Sequence, residues 1–391
     1  MQVGVRAGRI AGRILVPGSK SIAQRALILA TRRGGRVTNV PESGDLTVLC
    51  EGLRALGYRV DEAPGVRVVG GSLSALPAEI DAGDNGTAAR CLTALAALRS
   101  APTRIDGSAR LRQRPMAPLL AALRELGAEF DSEQLPLTIR GPIEGGIVRV
   151  DTELSSQFAT ALVLLVERVK GLKVKVEGKA SFAYVGLTAV IMRQFEDPYP
   201  VEPDFSSAAN HAVAAAVSGG DLVLEGLSMS SPQPDARILP FLNRAGAHVT
   251  QESDGVRIRG AERLHGIRAN LANCPDLAPL LGVLGASAEG ETVITGAPHL
   301  VHKESDRIEA TVDMIRRLGG EAESRPDGLV VRGGKPLRAA ELSSHGDHRI
   351  AMAAAVLALR VPGVTVTGSE AVDKSYPGFF DDLASLTESS S

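Results

Sequence analysis

The pattern of apolar and polar positions repeats along the chain. A run of small apolar residues with helical spacing is followed by a short turn, a β-rich run and a glycine, and this unit occurs six times. The predicted helices begin near Ser21, Thr87, Ser156, Ser207, Asp276 and His348. The predicted strands that follow them are Arg36–Val40, Thr103–Asp106, Leu172–Glu177, Asp221–Glu225, Glu291–Thr295 and Val364–Thr367. The repeats predict an α/β protein.

A second half-unit, consisting of a helix end, a strand, a turn and another strand, follows in four of the six units. These half-units are Leu53–Gly70, Leu123–Gly141, Phe241–Gly260 and Ile315–Gly333. The third unit has instead a predicted helix, Tyr184–Phe195, and the sixth unit has no second half. Because Gln2–Val16 contains two strand-like runs, we expect it to form a hairpin that supplies what the sixth unit lacks.

Six units favour two domains of three units each, and a chain of 391 residues is long enough for two or three domains. The inserted domain is predicted to span residues 19–203. The other is predicted to be discontinuous and to combine residues 1–18 with residues 204–391. We expect the helix N-termini to face a cleft between the domains, because ligand sites commonly lie at such positions.

Composition narrows the class of protein. Hydrophobic residues make up 44% and charged residues 23%, as in soluble globular proteins, and a net charge of −2 argues against a nucleic-acid-binding protein. Cys50, Cys91 and Cys274 lack the spacing of a disulfide framework or a zinc site. The first residues lack the apolar core of a signal peptide, and the longest apolar runs are about half a membrane span. We therefore expect a cytoplasmic protein that does not enter a membrane.

The segment Pro17–Ala30 predicts an anion site at the start of a helix. The first backbone N–H groups of a helix have no internal partner, and Lys20 adds a positive charge beside them. Arg25 shares a helix face with Ser21 and extends this site. The spacing of the glycines before Lys20 does not match a nucleotide P-loop, whereas ordinary helix capping remains an alternative.

Cations recur near other predicted helix starts, where the helix dipole disfavours them unless an anion is bound. They are Arg90, Arg114, Lys303, Arg307 and Arg349. A solvated basic turn or a surface salt-bridge ladder explains single members of this set equally well, and Lys374 alone is typical of a surface lysine. Together with nearby carboxylates, these cations predict a site that joins anionic substrates by acid–base chemistry. We find no motif for a metal, a nucleotide or another cofactor and expect none.

These motifs occur in an order that resembles the 5-enolpyruvylshikimate-3-phosphate synthase family. They are Pro17–Ala26, Gly86–Arg90, Arg114-Pro115, Ser155–Phe158, Pro275-Asp276, Lys303–Arg307 and Asp347–Arg349. The resemblance extends from Val16 to Phe380 and implies a two-domain inside-out α/β fold with three repeated units in each domain. It also implies transfer of the enolpyruvyl group of phosphoenolpyruvate to the 5-hydroxyl of shikimate 3-phosphate, on the path to chorismate.

The resemblance implies roles for individual residues. Lys20 is expected to contact both substrates. Shikimate 3-phosphate is assigned to Ser21, Arg25, Ser155, Ser156, Gln157, Ser181 and Tyr184. Phosphoenolpyruvate is assigned to Gly86, Arg114, Arg307, Arg349 and Lys374, with Arg90 nearby. The remaining expected substrate-binding residues are Asp276, His299, Lys303 and His348. Asp276 fits the base for the 5-hydroxyl and Glu304 the acid, with Lys20 as a competitor for proton transfer.

Two alternatives to this function remain. Asp84 and His299 stand where the family usually has asparagine, which keeps a non-catalytic anion-binding relative open. The other alternative is UDP-N-acetylglucosamine enolpyruvyl transferase, which shares the fold. That family carries a cysteine in a loop that corresponds to Leu111–Pro115, where this chain has none, and an asparagine where this chain has Ser21. In either case we expect a monomer.

Overall fold

The computed structural model describes residues 1–178 and 180–388 of the chain. Its α-helices are α1 (Lys20–Arg33), α2 (Gly44–Ala55), α3 (Gly86–Ala96), α4 (Ala109–Arg112), α5 (Ala117–Glu125), α6 (Gln157–Val163), α7 (Phe182–Gln194), α8 (Phe205–Ser218), α9 (Ile238–Arg244), α10 (Ala278–Ser287), α11 (Arg307–Arg317), α12 (His348–Ala358) and α13 (Phe379–Leu386). Short 3₁₀ helices span Pro234–Arg237, Pro275–Leu277, Pro298–His302 and Ser369–Lys374. No helix of the described residues is long and apolar enough to span a bilayer.

The strands are equally short and alternate with these helices. They are β1 (Gln2–Gly4), β2 (Ala11–Ile14), β3 (Gly35–Thr38), β4 (Tyr58–Ala63), β5 (Val66–Gly71), β6 (Ala78–Asp81), β7 (Thr103–Asp106), β8 (Glu129–Phe130), β9 (Leu137–Arg140), β10 (Ile147–Asp151), β11 (Lys173–Glu177), β12 (Tyr199–Pro200), β13 (Asp221–Glu225), β14 (His248–Glu252), β15 (Gly255–Arg259), β16 (Arg268–Asn270), β17 (Glu291–Thr295), β18 (Glu321–Arg325), β19 (Gly328–Arg332), β20 (Glu341–Ser343) and β21 (Thr365–Thr367). The predicted mixed α/β fold is confirmed.

Local capping explains where several helices begin. The Asp204 carboxylate accepts a hydrogen bond from Ser207 N at 2.9 Å, and the Asn85 side chain accepts one from Ala88 N at 2.9 Å. Asp306 and Asp347 cap α11 and α12 in the same way. Each cap satisfies a backbone N–H that has no partner inside the helix, so a polar residue before an apolar run fixes the helix start.

The chain forms two compact units. Unit 1 combines Met1–Pro17 with Glu202–Ser391, and unit 2 is Gly18–Val201. The domain boundaries predicted from the repeats, 18/19 and 203/204, lie one and two residues from the boundaries of these units. Residues 389–391 of the predicted discontinuous domain lie outside the described residues. The chain passes from one unit to the other at Pro17-Gly18 and again at Val201-Glu202.

Unit 2 contains three sheets. Two have four strands in the orders β12-β3-β5-β4 and β6-β7-β9-β8, and the third pairs β10 with β11. In each, the strand after a buried helix pairs in parallel with one neighbour, and in the two larger sheets it pairs antiparallel with the other. The repeat in the sequence therefore corresponds to a repeated pattern of strand pairing.

Unit 1 also contains three sheets, ordered β14-β15-β13-β2, β16-β17-β19-β18 and β1-β21-β20. The predicted N-terminal hairpin is wrong, because β1 and β2 do not pair with each other. Strand β1 pairs antiparallel with β21 in the sixth repeat, whereas β2 pairs parallel with β13 in the fourth. One segment therefore completes two sheets instead of one.

Three helices, α8, α10 and α12, form the centre of unit 1 and pack against one another, and α8 and α12 are rich in alanine. Nearly all their residues are buried, including a run of alanines from Ala214 to Ala216 and another from Ala353 to Ala355. Small side chains allow the close approach of helix backbones. The polar residues at the starts of these helices are thereby brought together.

Candidate active site

The starts of the three central helices of unit 1 meet at Arg349, which lies in the first turn of α12. Its Nη2 donates to Asp276 Oδ2, 3.0 Å away, in the 3₁₀ turn that leads into α10. Its Nη1 donates to the carbonyl of Ser206, 3.5 Å away, in the first turn of α8. The repeat that the sequence shows thus brings residues from three separate segments to one place.

Arg307, the first residue of α11, lies at the centre of this group and is only 2% exposed. Its Nη1 is 2.8 Å from Asp276 Oδ1, its Nη2 is 2.9 Å from Glu304 Oε2, and its Nε is 2.8 Å from Asp347 Oδ2. A single guanidinium therefore binds three carboxylates, as its planar fork of donors allows.

Two lysines complete the group. Lys374 Nζ lies 3.3 Å from Glu304 Oε1, and Lys303 Nζ lies 3.6 Å from Asp276 Oδ1. The Lys374 side chain is only 15% exposed, so the interpretation of this residue as a surface lysine is wrong. We refer to Asp276, Lys303, Glu304, Arg307, Asp347, Arg349 and Lys374 together as the Arg307 cluster.

The electrostatics of the cluster follow from these contacts. Burial alone would raise the pKa of Asp276, but Arg349, Lys303 and Arg307 outweigh it and hold that pKa well below its ordinary value of 3.8. The pKa of Arg307 is raised above its ordinary value, because its surrounding carboxylates outweigh the effect of burial. Asp276 is therefore ionised throughout the physiological pH range.

A fourth carboxyl, Asp235, lies beside the cluster in the 3₁₀ helix before α9. It accepts a hydrogen bond of 2.5 Å from Ser206 Oγ and is 1% exposed. Burial, followed by the negative charge of Asp276, raises its pKa to about 6. Asp235 was not predicted from the sequence, because an aspartate after a proline is also common in ordinary turns.

Two predicted histidines are buried close to the cluster. His299 is 2% exposed, and burial together with Lys303 lowers its pKa to about 4, so its imidazole is neutral at physiological pH. His348 is also buried, with Nδ1 3.6 Å from Asp347 Oδ1. Within the described residues, no three His, Cys, Asp or Glu side chains are grouped so as to hold a metal ion.

In unit 2, Lys20 occupies the first position of α1, where the sequence predicts an anion site. Its Nζ lies 2.8 Å from Asp45 Oδ2 in the first turn of α2, and both side chains are largely buried. The Asn85 side chain donates to the carbonyl of Asp45 at 2.8 Å. Asp45 was not predicted from the sequence, because it resembles an ordinary acidic residue in a helix first turn.

Gly86 begins α3 beneath the guanidinium of Arg114. A Cβ atom at residue 86 would lie 2.7–2.8 Å from Arg114 guanidinium atoms, so only glycine permits this approach. Arg90 instead points into the unit: it donates to the carbonyls of Gly86 at 3.1 Å and Pro115 at 2.6 Å. Asp84, one of the departures from the family pattern, accepts a hydrogen bond from Ser108.

Arg25 is buried in unit 2 and donates to neutral groups. Its Nη1 is 2.7 Å from Ser21 O, its Nε is 2.9 Å from Thr188 Oγ1, and its Nη2 is 3.3 Å from Thr160 Oγ1. Burial lowers its pKa from the ordinary value of 12.5, and no carboxylate of the described residues forms an ion pair with it. A buried cation with neutral partners is stabilised when an anion binds.

The remaining predicted residues lie around the starts of α6 and α7. Ser155 Oγ accepts a hydrogen bond from Gln157 N at 3.2 Å, and the Gln157 amide donates to Thr87 Oγ1 at 3.1 Å. Ser156 caps α6 with its main chain, and Ser181 precedes α7 with a left-handed φ of 54°. The Tyr184 carbonyl accepts from Thr188 Oγ1, which connects this helix to the Arg25 contacts.

Comparison with known proteins identifies the family. The family model for EPSP synthase (3-phosphoshikimate 1-carboxyvinyltransferase) matches residues 5–198 and 196–383. The chain belongs to the EPSP synthase family. It is 36% identical to a 3-phosphoshikimate 1-carboxyvinyltransferase of Methanothermobacter thermautotrophicus, over 96% of this chain and 95% of that protein. It is 38% identical to the enzyme of that name from Syntrophobacter fumaroxidans, over 96% of this chain and 97% of that protein.

Solved structures agree with this membership in the EPSP synthase family. EPSP synthase from Acinetobacter baumannii is similar with a TM-score of 0.78 and 26% identity, covering 99% of this chain and 98% of that chain. The enolpyruvyl transferase NikO from Streptomyces tendae shares the fold, with a TM-score of 0.75 and 18% identity over 98% of this chain and 96% of its own. The resemblance inferred from the ordered motifs is therefore confirmed, and the relatives are enzymes.

Proposed function

We propose that this chain is a 3-phosphoshikimate 1-carboxyvinyltransferase. It transfers the enolpyruvyl group of phosphoenolpyruvate to the 5-hydroxyl of shikimate 3-phosphate and releases phosphate. The observation that carries the proposal is the Arg307 cluster, in which four cations form ion pairs with Asp276 and Glu304. Cations placed in this way suit substrates with phosphate and carboxylate groups, while the carboxylates supply acid–base chemistry.

The reaction needs three proton transfers, which the two carboxylates share. Protonation of the methylene of phosphoenolpyruvate makes C2 electrophilic, and the 5-oxygen then forms a bond to C2 as it loses its proton. The resulting tetrahedral intermediate returns a methyl proton to Glu304 as the bond between C2 and the phosphate oxygen breaks, which restores the vinyl group. The proton taken from the 5-hydroxyl leaves with the phosphate. Glu304 is assigned to the methylene and Asp276 to the 5-hydroxyl, as the family resemblance implies.

Binding of phosphoenolpyruvate also prepares these carboxylates. Arg307, Arg349 and Lys374 are the residues assigned to this trianionic ligand, and the same cations hold Asp276 and Glu304. When the ligand competes for them, each carboxylate loses part of its cationic stabilisation and accepts a proton more readily. The cluster therefore favours proton transfer only after an anion has entered.

The unit 2 residues are assigned to binding. Arg25, with its neutral partners, is placed to stabilise shikimate 3-phosphate, together with Ser155, Ser156 and Gln157. The ion pair with Asp45 holds the Lys20 ammonium in a defined position, which supports its expected contact with substrates. Arg90 is assigned a supporting role, because two of its hydrogen bonds fix the Gly86 and Pro115 carbonyls beside Arg114.

Neither alternative from the sequence is favoured. Cys91, the cysteine nearest to the loop in sequence, lies within α3, and burial raises its pKa to about 12, so it is not a reactive thiolate at physiological pH. Asp84 is paired with Ser108, and Asn85 provides the cap of α3. The chain retains the candidate acid, the candidate base and the anion-binding residues despite the departures at Asp84 and His299, which argues against a non-catalytic relative.

A coupled assay of phosphate release tests the proposal. Release should require both phosphoenolpyruvate and shikimate 3-phosphate, and UDP-N-acetylglucosamine should not replace the latter. Glu309→Gln, in the first turn of α11 but exposed, is the matched control for Glu304→Gln. Release that proceeds with UDP-N-acetylglucosamine, or none with either acceptor, would refute the proposal. We further propose that the protein is a cytoplasmic monomer. Light scattering of the purified protein tests its oligomeric state.

A further inference from the structure

A buried chain of polar side chains lies beside the turn that carries Lys374. It connects His211 in the middle of α8, Tyr376 two residues after Lys374, and Asp382 in α13. Tyr376 is 1% exposed and His211 is fully buried. None of these three residues has a part in the reaction described above, yet polar groups are costly to bury unless they are paired.

The direction of the hydrogen bonds follows from their lengths. Tyr376 Oη lies 2.5 Å from Asp382 Oδ2 and 3.2 Å from His211 Nε2. A phenol has one hydrogen, and the carboxylate at the shorter distance receives it, so His211 donates to Tyr376 through Nε2. Burial lowers the pKa of His211 to about 4, so the ring is neutral, and the hydrogen bond to Tyr376 assigns its single proton to Nε2.

This chain fixes the backbone on one side of Lys374. Tyr376 N donates to the carbonyl of Val372 at 2.7 Å and Ser375 N donates to the same carbonyl at 3.0 Å. The Tyr376 ring packs edge-to-face on Phe379, with centroids 5.7 Å apart, and Val372 is itself buried. Lys374 therefore lies between two anchored residues, Val372 and Tyr376, while its ammonium reaches Glu304.

We propose that the His211–Tyr376–Asp382 chain is a positioning device that holds the Lys374 ammonium at Glu304 for enolpyruvyl transfer. The inference rests on the proposed function for the role of Lys374, and Tyr376 acts only through that lysine. The Tyr376 hydroxyl connects α8, which supplies Ser206 to the cluster, with α13 and with the turn. Loss of this hydroxyl leaves the ring packing intact but removes the connection, so the turn gains freedom.

The first test measures the position of Lys374 without turnover. Tyr376→Phe is compared with wild type by reductive methylation of lysines and peptide mass spectrometry. Methylation of Lys374 should become several-fold faster, whereas that of Lys303, in the same cluster, should not change. The matched control is Tyr58→Phe, which removes a similarly buried hydroxyl in unit 2, where it accepts from Arg168 at 3.1 Å. Equal methylation of Lys374 in all three proteins would overturn the inference.

The second test separates positioning from general stability. In Tyr376→Phe, KM for phosphoenolpyruvate should rise about tenfold, as expected for one weakened charge-assisted hydrogen bond, with KM for shikimate 3-phosphate unchanged. His211→Phe removes the N–H donor and should also raise KM for phosphoenolpyruvate. His211→Gln keeps an N–H donor, so its KM should lie much closer to that of wild type. Equal changes in both KM values would overturn the inference. An inactive wild type would refute the proposed function, and the methylation result would still decide whether Tyr376 positions Lys374.

Discussion

Asp235 provides the most quantitative prediction about stability. Its pKa is about 6 in the folded protein and 3.8 in an exposed reference state, because burial and the charge of Asp276 disfavour the carboxylate. The two values lie about 2 pH units apart, and each unit corresponds to about 1.4 kcal/mol, which gives about 3 kcal/mol. We expect Asp235→Asn to remove this cost while its amide oxygen still accepts from Ser206.

The sign of the pH dependence follows from proton binding. Below pH 3.8 both states carry the proton and the group contributes no difference. Between pH 3.8 and 6 the unfolded state loses the proton while the folded state keeps it, so wild-type stability falls as pH rises. Above pH 6 the Asp235 carboxyl is ionised in both states, and the full cost of burying its charge in the folded state remains. The stability gain of Asp235→Asn over wild type should therefore grow from pH 4 to 6 and then remain constant.

Urea unfolding of both proteins between pH 4 and 8, with the transition of unit 1 resolved, measures this difference. The control is Asp221→Asn in the same unit. Hydrogen bonds from Arg257 and Arg259 lower the pKa of Asp221 from 3.8, so both states are ionised above about pH 5. From there to pH 8 the offset of the control should be independent of pH. A gain for Asp235→Asn that is equally flat would refute the reasoning, since it would mean that Asp235 titrates alike in both states.

Three further substitutions test individual residues. Gly86→Ala places a Cβ against the Arg114 guanidinium and should raise KM for phosphoenolpyruvate about tenfold with kcat little changed; an unchanged KM would mean that Arg114 does not bind this ligand. Glu304→Gln should lower kcat by roughly 10²–10⁴-fold in the phosphate-release assay, and near-normal turnover would exclude Glu304 as the acid. Arg25→Met should raise KM for shikimate 3-phosphate by roughly 100-fold, the size expected for two charged hydrogen bonds, while urea unfolding shows no loss of stability; unchanged affinity would contradict its assignment.

The fold was predictable wherever it depends on local signals. Caps such as Asn85, Asp204 and Asp347 precede apolar runs, so the sequence locates the helix starts to within a few residues. The strands Thr103–Asp106, Asp221–Glu225 and Glu291–Thr295 were predicted with the bounds that the structure has. The partners of the strands were harder to predict from the sequence. The pairing of β2 with β13, for example, joins segments some 200 residues apart, and no local pattern specifies it.

The candidate site was predictable in its residue types rather than in its contacts. Helix starts with unexplained cations indicated an anion site, and the ordered motifs supplied the family. Lys374 was ambiguous because its environment depends on Glu304, which tertiary packing brings within 3.3 Å of its ammonium. Asp45 and Asp235 were missed for the same reason: an aspartate in a first turn has an ordinary capping role unless the structure shows its distant partner.

The separate destinations of β1 and β2 set the order in which the chain can fold during synthesis. Unit 2 is one continuous segment and can close as soon as Val201 has left the ribosome. Strand β2 must wait until β13 is made, and β1 must wait longer still for β21, so Gln2–Ile14 is made before both of its partners and pairs with them late. A nascent chain halted after Val201 should therefore resist protease across unit 2 while its first fourteen residues are still cleaved.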